Sequence, residues 1–260
     1  MTEAEQFEVV LHELGILLAQ LGDVGRDAVL IGGQVLALEA LERHGSGALE
    51  VRTETDLVIQ RGFTMEPDVF FDFDEETFQA PRLVEVLRAR GYSRPHRQHR
   101  WERELTVGTE RVTVAIDLFA PPGLPEGTLP THMTPLEDAR LVMRHLRPIE
   151  VQLNGQPLRL TLPDSVAFLA MKLRARKQRR AAKDGFDIYA YVKLLGADAV
   201  LKALAHAGEE GLRIQHELGV LYFDRGAPGV KDVLQFAPGL LDEEEQLLRQ
   251  EVVDLFAEFY

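Results

Sequence analysis

Leu11, Leu14, Leu18 and Leu21 recur at helical spacing near the start of the chain and predict an amphipathic first helix. Ala28-Val29-Leu30-Ile31-Gly32 is apolar at every position, the pattern of a strand covered on both faces. Gly32-Gly33-Gln34 then leads into a helical run ending near His44, which reads as strand, tight glycine turn, helix. Gly45-Ser46-Gly47 breaks that helix ahead of a second strand, expected from about Thr55 to Gln60. Asp72, Asp74, Glu75 and Glu76 are expected in an acidic connection, and Asp68, Asp72 and Asp74 are expected to face solvent unless that loop folds back to supply a ligand. A helix with Leu83, Val86 and Leu87 turned inward follows and closes at Gly91.

Beyond Tyr92 the period shortens. Trp101 to Val107 and Arg111 to Phe119 flank Gly108-Thr109 and predict a hairpin. In its second strand Val112, Val114 and Ile116 share one face, and Thr113, Ala115 and Asp117 share the other. The stretch Ala120 to Pro130 is rich in Pro and Gly and ends regular structure. A further hairpin is expected near 149–162, around Asn154-Gly155, and the chain turns helical from about Pro163. The fold expected is α/β (α+β): a mixed sheet with flanking helices over 1–125, then a mostly helical domain over 126–260 that includes the hairpin.

Composition narrows the chemistry. None of the 260 residues is cysteine, which excludes disulfides, thiolate zinc sites, iron–sulfur clusters and cysteine nucleophiles. With 42 acidic and 29 basic residues the formal charge is −13, which argues against bulk coating of nucleic acid. A local basic pocket remains compatible with that balance. The N-terminal segment is acidic where a targeting segment is basic, and no apolar run reaches the roughly 18 residues of a membrane helix. A cytoplasmic protein without membrane contact is expected.

Two carboxylates stand out. Asp56 precedes Leu57-Val58-Ile59, and Asp117 follows Val114-Ala115-Ile116 with Leu118 and Phe119 beyond. A carboxylate in an apolar strand needs a hydrogen bond, a counter-charge or a metal. The pair suggests a divalent-cation site, since magnesium takes few carboxylates together with substrate phosphate oxygens; the alternative is that each accepts hydrogen bonds at a strand end. The Gly32-Gly33 turn allows close backbone approach by a phosphate at a helix N-terminus. Gln34 adds an amide donor there.

The order of an apolar strand, Gly-Gly, a helix, Arg52-Thr53-x-Thr55-Asp56-Leu57 and Val114-Ala115-Ile116-Asp117-Leu118-Phe119 resembles the nucleotidyltransferase fold of DNA polymerase beta-like enzymes. Pro163 to Leu173, read as P-x-S-x-x-x-L-x-x-K-L, and the later Lys183-Asp184 and Asp187 extend the likeness to toxin nucleotidyltransferases of the AbiEii and MenT type. It spans roughly residues 28 to 195. The resemblance implies a metal-dependent enzyme (Mg2+ or Mn2+) that moves a nucleoside monophosphate from a nucleoside triphosphate to an RNA end, a protein or a small molecule. An antitoxin-like partner is implied with it. Asp117 stands for the family's later-strand carboxylate and Asp56 for its D-x-D motif. Aligned on Arg52 and Thr53, Asp56 is the first carboxylate and Val58 takes the place of the second; shifted by two, Glu54 and Asp56 form the pair. Gln34 replaces the usual Ser or Thr. These departures keep open a catalytically degenerate member serving as a nucleotide-binding or interaction module.

Basic residues complete the expected site. Arg52, Lys172 and Lys183 are assigned to the nucleotide together with Gly32, Gly33 and Gln34, and Asp184 and Asp187 to fixing the basic side chains. The basic stretch Arg88 to Arg103, with Tyr92 and Trp101, is read either as a phosphate or RNA-end platform with aromatic stacking or as a solvated strand-edge loop. His96 and His99 lack a nearby carboxylate pattern that would complete a metal site.

Overall fold

The computed structural model describes residues 1–44, 46–73, 80–94, 100–123, 133–153 and 155–260. Asp74, Glu75, Glu76, His96, His99, Asn154 and most of the Pro- and Gly-rich stretch lie outside the described residues. The chain is mixed α/β and forms two compact units, Met1–Gly47 with Phe63–Pro163, and Ala48–Gly62 with Asp164–Tyr260.

The first unit opens with α1 (Glu3–Leu21), started by a capping box. Thr2 Oγ1 accepts from the Glu5 amide at 3.2 Å, and Glu5 Oε2 accepts from the Thr2 amide at 2.7 Å. Phe7, Val10, Leu11, Leu14, Leu17, Leu18 and Leu21 are buried at the expected helical spacing. A short α2 (Asp23–Arg26) leads to β1 (Ala28–Ile31), buried at all four positions, and Gly32 then turns the chain into α3 (Gly33–His44).

In the second unit β2 (Leu49–Arg52) and β3 (Val58–Gly62) form their own antiparallel hairpin. The chain returns to the first unit for β4 (Asp68–Phe71), α4 (Ala80–Ala89), β5 (Arg100–Val107), β6 (Glu110–Ala120), β7 (Thr134–Pro135), α5 (Ala139–Arg144), β8 (Leu146–Leu153) and β9 (Gln156–Pro163). Their sheet runs β5-β6-β4-β1-β9-β8, with β7 beside β6. Strand β1 is antiparallel to β4 and parallel to β9, and β4 is parallel to β6.

The remaining helices are α6 (Ser165–Arg179), α7 (Ala182–Leu195), α8 (Ala197–His206), α9 (Glu209–Tyr222), α10 (Pro228–Leu234) and α11 (Asp242–Leu255). Asp164 caps α6, accepting from the amides of Val166 and Ala167 at 2.8 and 3.2 Å. No helix among the described residues is long and apolar enough to cross a membrane.

Two expectations need correction. The division at 125/126 does not follow the compact units: the hairpin near 149–162 is β8-β9, joined to the large sheet through β1, whereas residues 48–62 belong with the helices. The expected strand from Thr55 to Gln60 begins only at Val58, because residues 53–57 close a tight turn. Thr53 donates its amide to the Leu57 carbonyl at 2.9 Å and accepts the Leu57 amide on its hydroxyl at 3.0 Å. Asp56 takes φ +62° within that turn.

Candidate functional site

Sheet register assembles a row of polar side chains at one end of the first unit. Ile31 pairs with Asp68, Asp68 with Asp117, and Asp117 with Arg100, across β1, β4, β6 and β5. Register partners project from the same face of a sheet, so Asp68, Asp117 and Arg100 stand side by side. Glu66-Pro67-Asp68 is fastened to β6 by the Asp117 amide, which donates to the Pro67 carbonyl at 2.9 Å. Asp68 is therefore a half-buried strand residue and does not face solvent, which corrects the sequence expectation for it.

Gly32 ends this row. It has φ +70°, and a Cβ placed on it would lie 2.0 Å from Asp68 Oδ2 and 3.0 Å from Asp68 Cγ. Glycine is required here twice, for its left-handed backbone and for the room the carboxylate occupies. Helix α3 starts at the next residue, so its amide-bearing end adjoins the acidic row. Gln34 is fully buried. Its Nε2 donates to the Thr64 carbonyl at 2.6 Å, and its Oε1 finds no hydrogen-bond partner among the described residues.

Arg100 supplies the counter-charge. Its Nε and Nη2 donate to Asp117 Oδ1 and Oδ2 at 2.8 and 2.9 Å, and its Nη1 and Nη2 to Glu66 Oε1 and Oε2 at 2.8 and 2.6 Å. Both oxygens of both carboxylates are engaged, the fork geometry in which arginine pairs most strongly. Hydrogen bonds to Asp117 and then Glu66 raise the pKa of the guanidinium further, so it stays charged. Among the described residues no group of three or more His, Asp or Glu side chains is arranged to hold a metal ion. Arg100 is the counter-charge of Glu66 and Asp117.

Glu54, Asp56 and Arg52 belong to the other unit. Arg52 and Asp56 are exposed and pair with each other at 3.3 Å, a contact of little energetic weight in water. The Glu54 side chain is exposed, while its amide donates to Glu251 Oε2 of α11 at 2.9 Å. Sequence reasoning paired Asp56 with Asp117, passed over Glu66, and gave Asp68 a ligand role only on condition that its loop folded back. The signal was present: two carboxylates two residues apart, followed by Val69-Phe70-Phe71.

The second unit contains a separate buried ion network. Lys172 Nζ lies 2.5 Å from Asp187 Oδ2 and 3.6 Å from Asp184 Oδ1. Arg61 of β3 meets Asp187 at 2.8 Å, and Arg179 grips both Asp184 oxygens at 2.6 Å. Arg176 meets Asp232 at 2.5 Å. Asp184 and Asp187 are fully buried and pair with Lys172, Arg61 and Arg179; Lys183 is exposed. Burial works to raise the Asp184 pKa, but the Arg179 hydrogen bonds and the charges of Lys172, Arg179 and Lys183 outweigh it and hold it below the ordinary value.

The aromatic residues of the basic stretch are core residues. Tyr92 and Trp101 are 3% and 1% exposed, so neither offers a face to a base, and Arg90 and Arg103 turn to the buried Glu13. Comparison with known proteins finds no matching family model and no matching curated sequence.

Proposed function

We propose that the chain binds a nucleoside triphosphate at the Gly32-Gly33 turn and moves its nucleoside monophosphate to a hydroxyl acceptor. The observation that supports this reading is the placement of Asp68 and Asp117 as register partners on adjacent strands, with the Asp68 carboxylate against Gly32. Phosphates approach glycine turns at helix N-termini because free amides and the helix dipole favour negative charge there. Glu66, Asp68 and Asp117 are the carboxylates that would hold Mg2+ or Mn2+. Such a cation, when bound, makes the acceptor hydroxyl more acidic and neutralises the triphosphate.

The acceptor oxygen forms a bond to the α-phosphorus as the bridge to the β-phosphate breaks, and pyrophosphate leaves. Asp117, only 8% exposed, is the carboxylate assigned to receive the hydroxyl proton. The rest of the catalysis is positioning: the β1–α3 turn holds the phosphates and the β4 and β6 strand ends fix the carboxylates. RNA ends, proteins and small molecules all carry suitable hydroxyls.

The Arg100 bridge favours a second reading, in which the site binds nucleotide without turning it over. One experiment separates the two. Each α-labelled ribonucleoside triphosphate is incubated with protein, Mg2+ or Mn2+ and a mixed tRNA pool, and label is read on RNA and on protein. Retained nucleotide is measured in parallel by equilibrium dialysis. The expected result is transfer by wild type, its loss in Asp68→Ala and Asp117→Ala, and its persistence in Asp56→Gly. Loss in Asp56→Gly with persistence in Asp68→Ala would return the catalytic assignment to the β2-β3 turn. Binding without transfer supports the second reading, and neither binding nor transfer refutes both.

A further inference from the structure

We infer that the outer face of α9 is the contact through which two copies of this chain pair, antiparallel, about a twofold axis at His216. Helix α9 buries Ile214, Leu218, Leu221 and Tyr222 on one side. At about 100° per residue, Leu212, His216, Val220 and Phe223 fall within an arc of about 80° on the opposite side. Leu212, Val220 and Phe223 are 64, 56 and 52% exposed, and His216 is exposed between them. Phe223 keeps helical backbone angles past the end of α9, so it continues the stripe. Tyr260, 61% exposed, runs along its edge: the Tyr260 Cδ1 lies 3.3 Å from where a Cβ on Gly219 would stand. Single exposed apolar side chains are common on a protein surface, whereas four gathered on one face mark a contact.

Symmetry, area and charge select a second copy as the occupant. Leu212 and Val220 stand four residues either side of His216, so an antiparallel copy crossing there sets Leu212 of each chain on Val220 of the other. Aromatic side chains bury about 150–250 Å² each, so the exposed shares of Phe223 and Tyr260 leave about 80–150 Å² apiece. With Leu212 and Val220 the stripe offers about 250–450 Å² of apolar surface per copy. The apolar part of a standard interface, somewhat over half of about 800 Å² per partner, lies at the top of that range, which places the contact in the weak, reversible class. The flanking charges create no demand for a partner of opposite sign. Arg213 pairs with Glu210 and Glu217 of α9 itself, and Lys177 of α6 reaches Glu217 at 2.9 Å. Glu209 is the exposed acid at the end of the stripe, and antiparallel pairing puts its two copies about 21 Å apart, beyond the screening length of about 8 Å. The contact lies wholly within the second unit and is independent of any reaction at the acidic row.

The test is sedimentation equilibrium of the full chain from about 5 to 500 μM, the range a contact of this area calls for. Wild type is expected to pass reversibly from monomer to dimer with a Kd of about 10–100 μM. His216→Glu and His216→Lys each set like charges across the axis and are expected to weaken pairing at least tenfold. Mixed in equal amounts, the two variants are expected to recover a dimer at least as tight as that of wild type, because opposite charges then meet. Val220→Asp removes apolar area and carries a charge into the contact, and is expected to abolish pairing over the whole range. These are surface positions, so circular dichroism and melting midpoints are expected to match wild type; Leu212→Ser, which adds no charge, replaces Val220→Asp should that variant melt early.

A wild-type chain that stays monomeric across the range overturns the inference and leaves the stripe to a different partner. A dimer that survives Val220→Asp and Leu212→Ser overturns it too, since the contact then lies elsewhere. Pairing unchanged in both His216 variants, or weakened in both without recovery in the mixture, overturns the twofold arrangement, because only a face that meets itself sets residue 216 against residue 216. Recovery in the mixture, with neither variant dimerising alone, supports it.

Discussion

Replacing Gly32 by alanine tests the geometry of the acidic row without reference to catalysis. Two costs are separable. Alanine held at φ +70° pays the left-handed penalty, about 1–2 kcal/mol. Its Cβ also lies 2.0 Å from Asp68 Oδ2, and forcing a packed neighbour aside costs about 1–3 kcal/mol. The loss of glycine's freedom in the unfolded chain offsets about 0.4–1 kcal/mol. The net expectation is a destabilisation of about 1–5 kcal/mol, summed from these three contributions. Trp101 is the sole tryptophan and is buried in the same unit, so its fluorescence during urea unfolding reports on that unit. In an Asp68→Ala background the carboxylate is gone, and the nearest remaining Asp68 atom, Cβ, sits 3.3 Å from the new methyl. There Gly32→Ala should cost only about 1 kcal/mol, the backbone share alone. Equal costs in the two backgrounds, or a cost below about 1 kcal/mol in wild type, would refute the close packing of Asp68 on Gly32.

Other perturbations reach the buried charges. Glu13 is 4% exposed and accepts from Arg90 and Arg103, so Glu13→Gln should destabilise the first unit by about 2–4 kcal/mol; a shift under about 1 kcal/mol in the Trp101 transition contradicts that role. In the second unit Lys172→Met leaves Asp187 with Arg61 and Asp184 with Arg179, and should cost about 1–3 kcal/mol, whereas Asp187→Ala takes from Lys172 its nearest carboxylate and from Arg61 its Asp187 ion pair, and should cost about 3–5 kcal/mol. Urea unfolding followed by far-ultraviolet circular dichroism checks that order, and the reverse order would count against the network as described. Asp184 is held below the ordinary carboxyl pKa in the fold, so its contribution is fully present above the unfolded value of about 3.9 and is lost as pH falls through the folded value. The stability gap between wild type and Asp184→Asn should accordingly be constant from pH 7 to about pH 5 and shrink towards pH 3; a gap that widens on acidification reverses the sign of the argument.

The parts of the fold legible in the sequence were those fixed by local pattern. An all-apolar β1, the leucine stripe of α1 and the Gly108-Thr109 hairpin follow from periodicity and turn chemistry, and the structure contains each. The hairpin of 149–162 was legible as a hairpin, but its partner was not. Its parallel pairing with β1 joins residues more than a hundred positions apart and leaves no mark on either segment. The same holds for the division into units, since residues 48–62 leave one unit and residue 63 returns to it.

The site turns on a comparison between two short stretches of equal spacing. Glu54-x-Asp56 and Glu66-x-Asp68 each set two carboxylates two residues apart, each ahead of apolar residues. Backbone context separates them. Thr53 closes its own loop on Leu57 through main chain and hydroxyl, so Glu54 and Asp56 stand on a solvent-facing turn, and Asp56 adopts a left-handed conformation that polar residues tolerate. Pro67 lacks an N–H but lends its carbonyl to the Asp117 amide, which draws Asp68 into register between β1 and β6. A carboxylate on the turn is solvated and costs little; one in the row lies beside another carboxylate and requires a cation. Arg100 meets that requirement in the fold, and the structural demand for a counter-charge is thus the same demand a metal would satisfy.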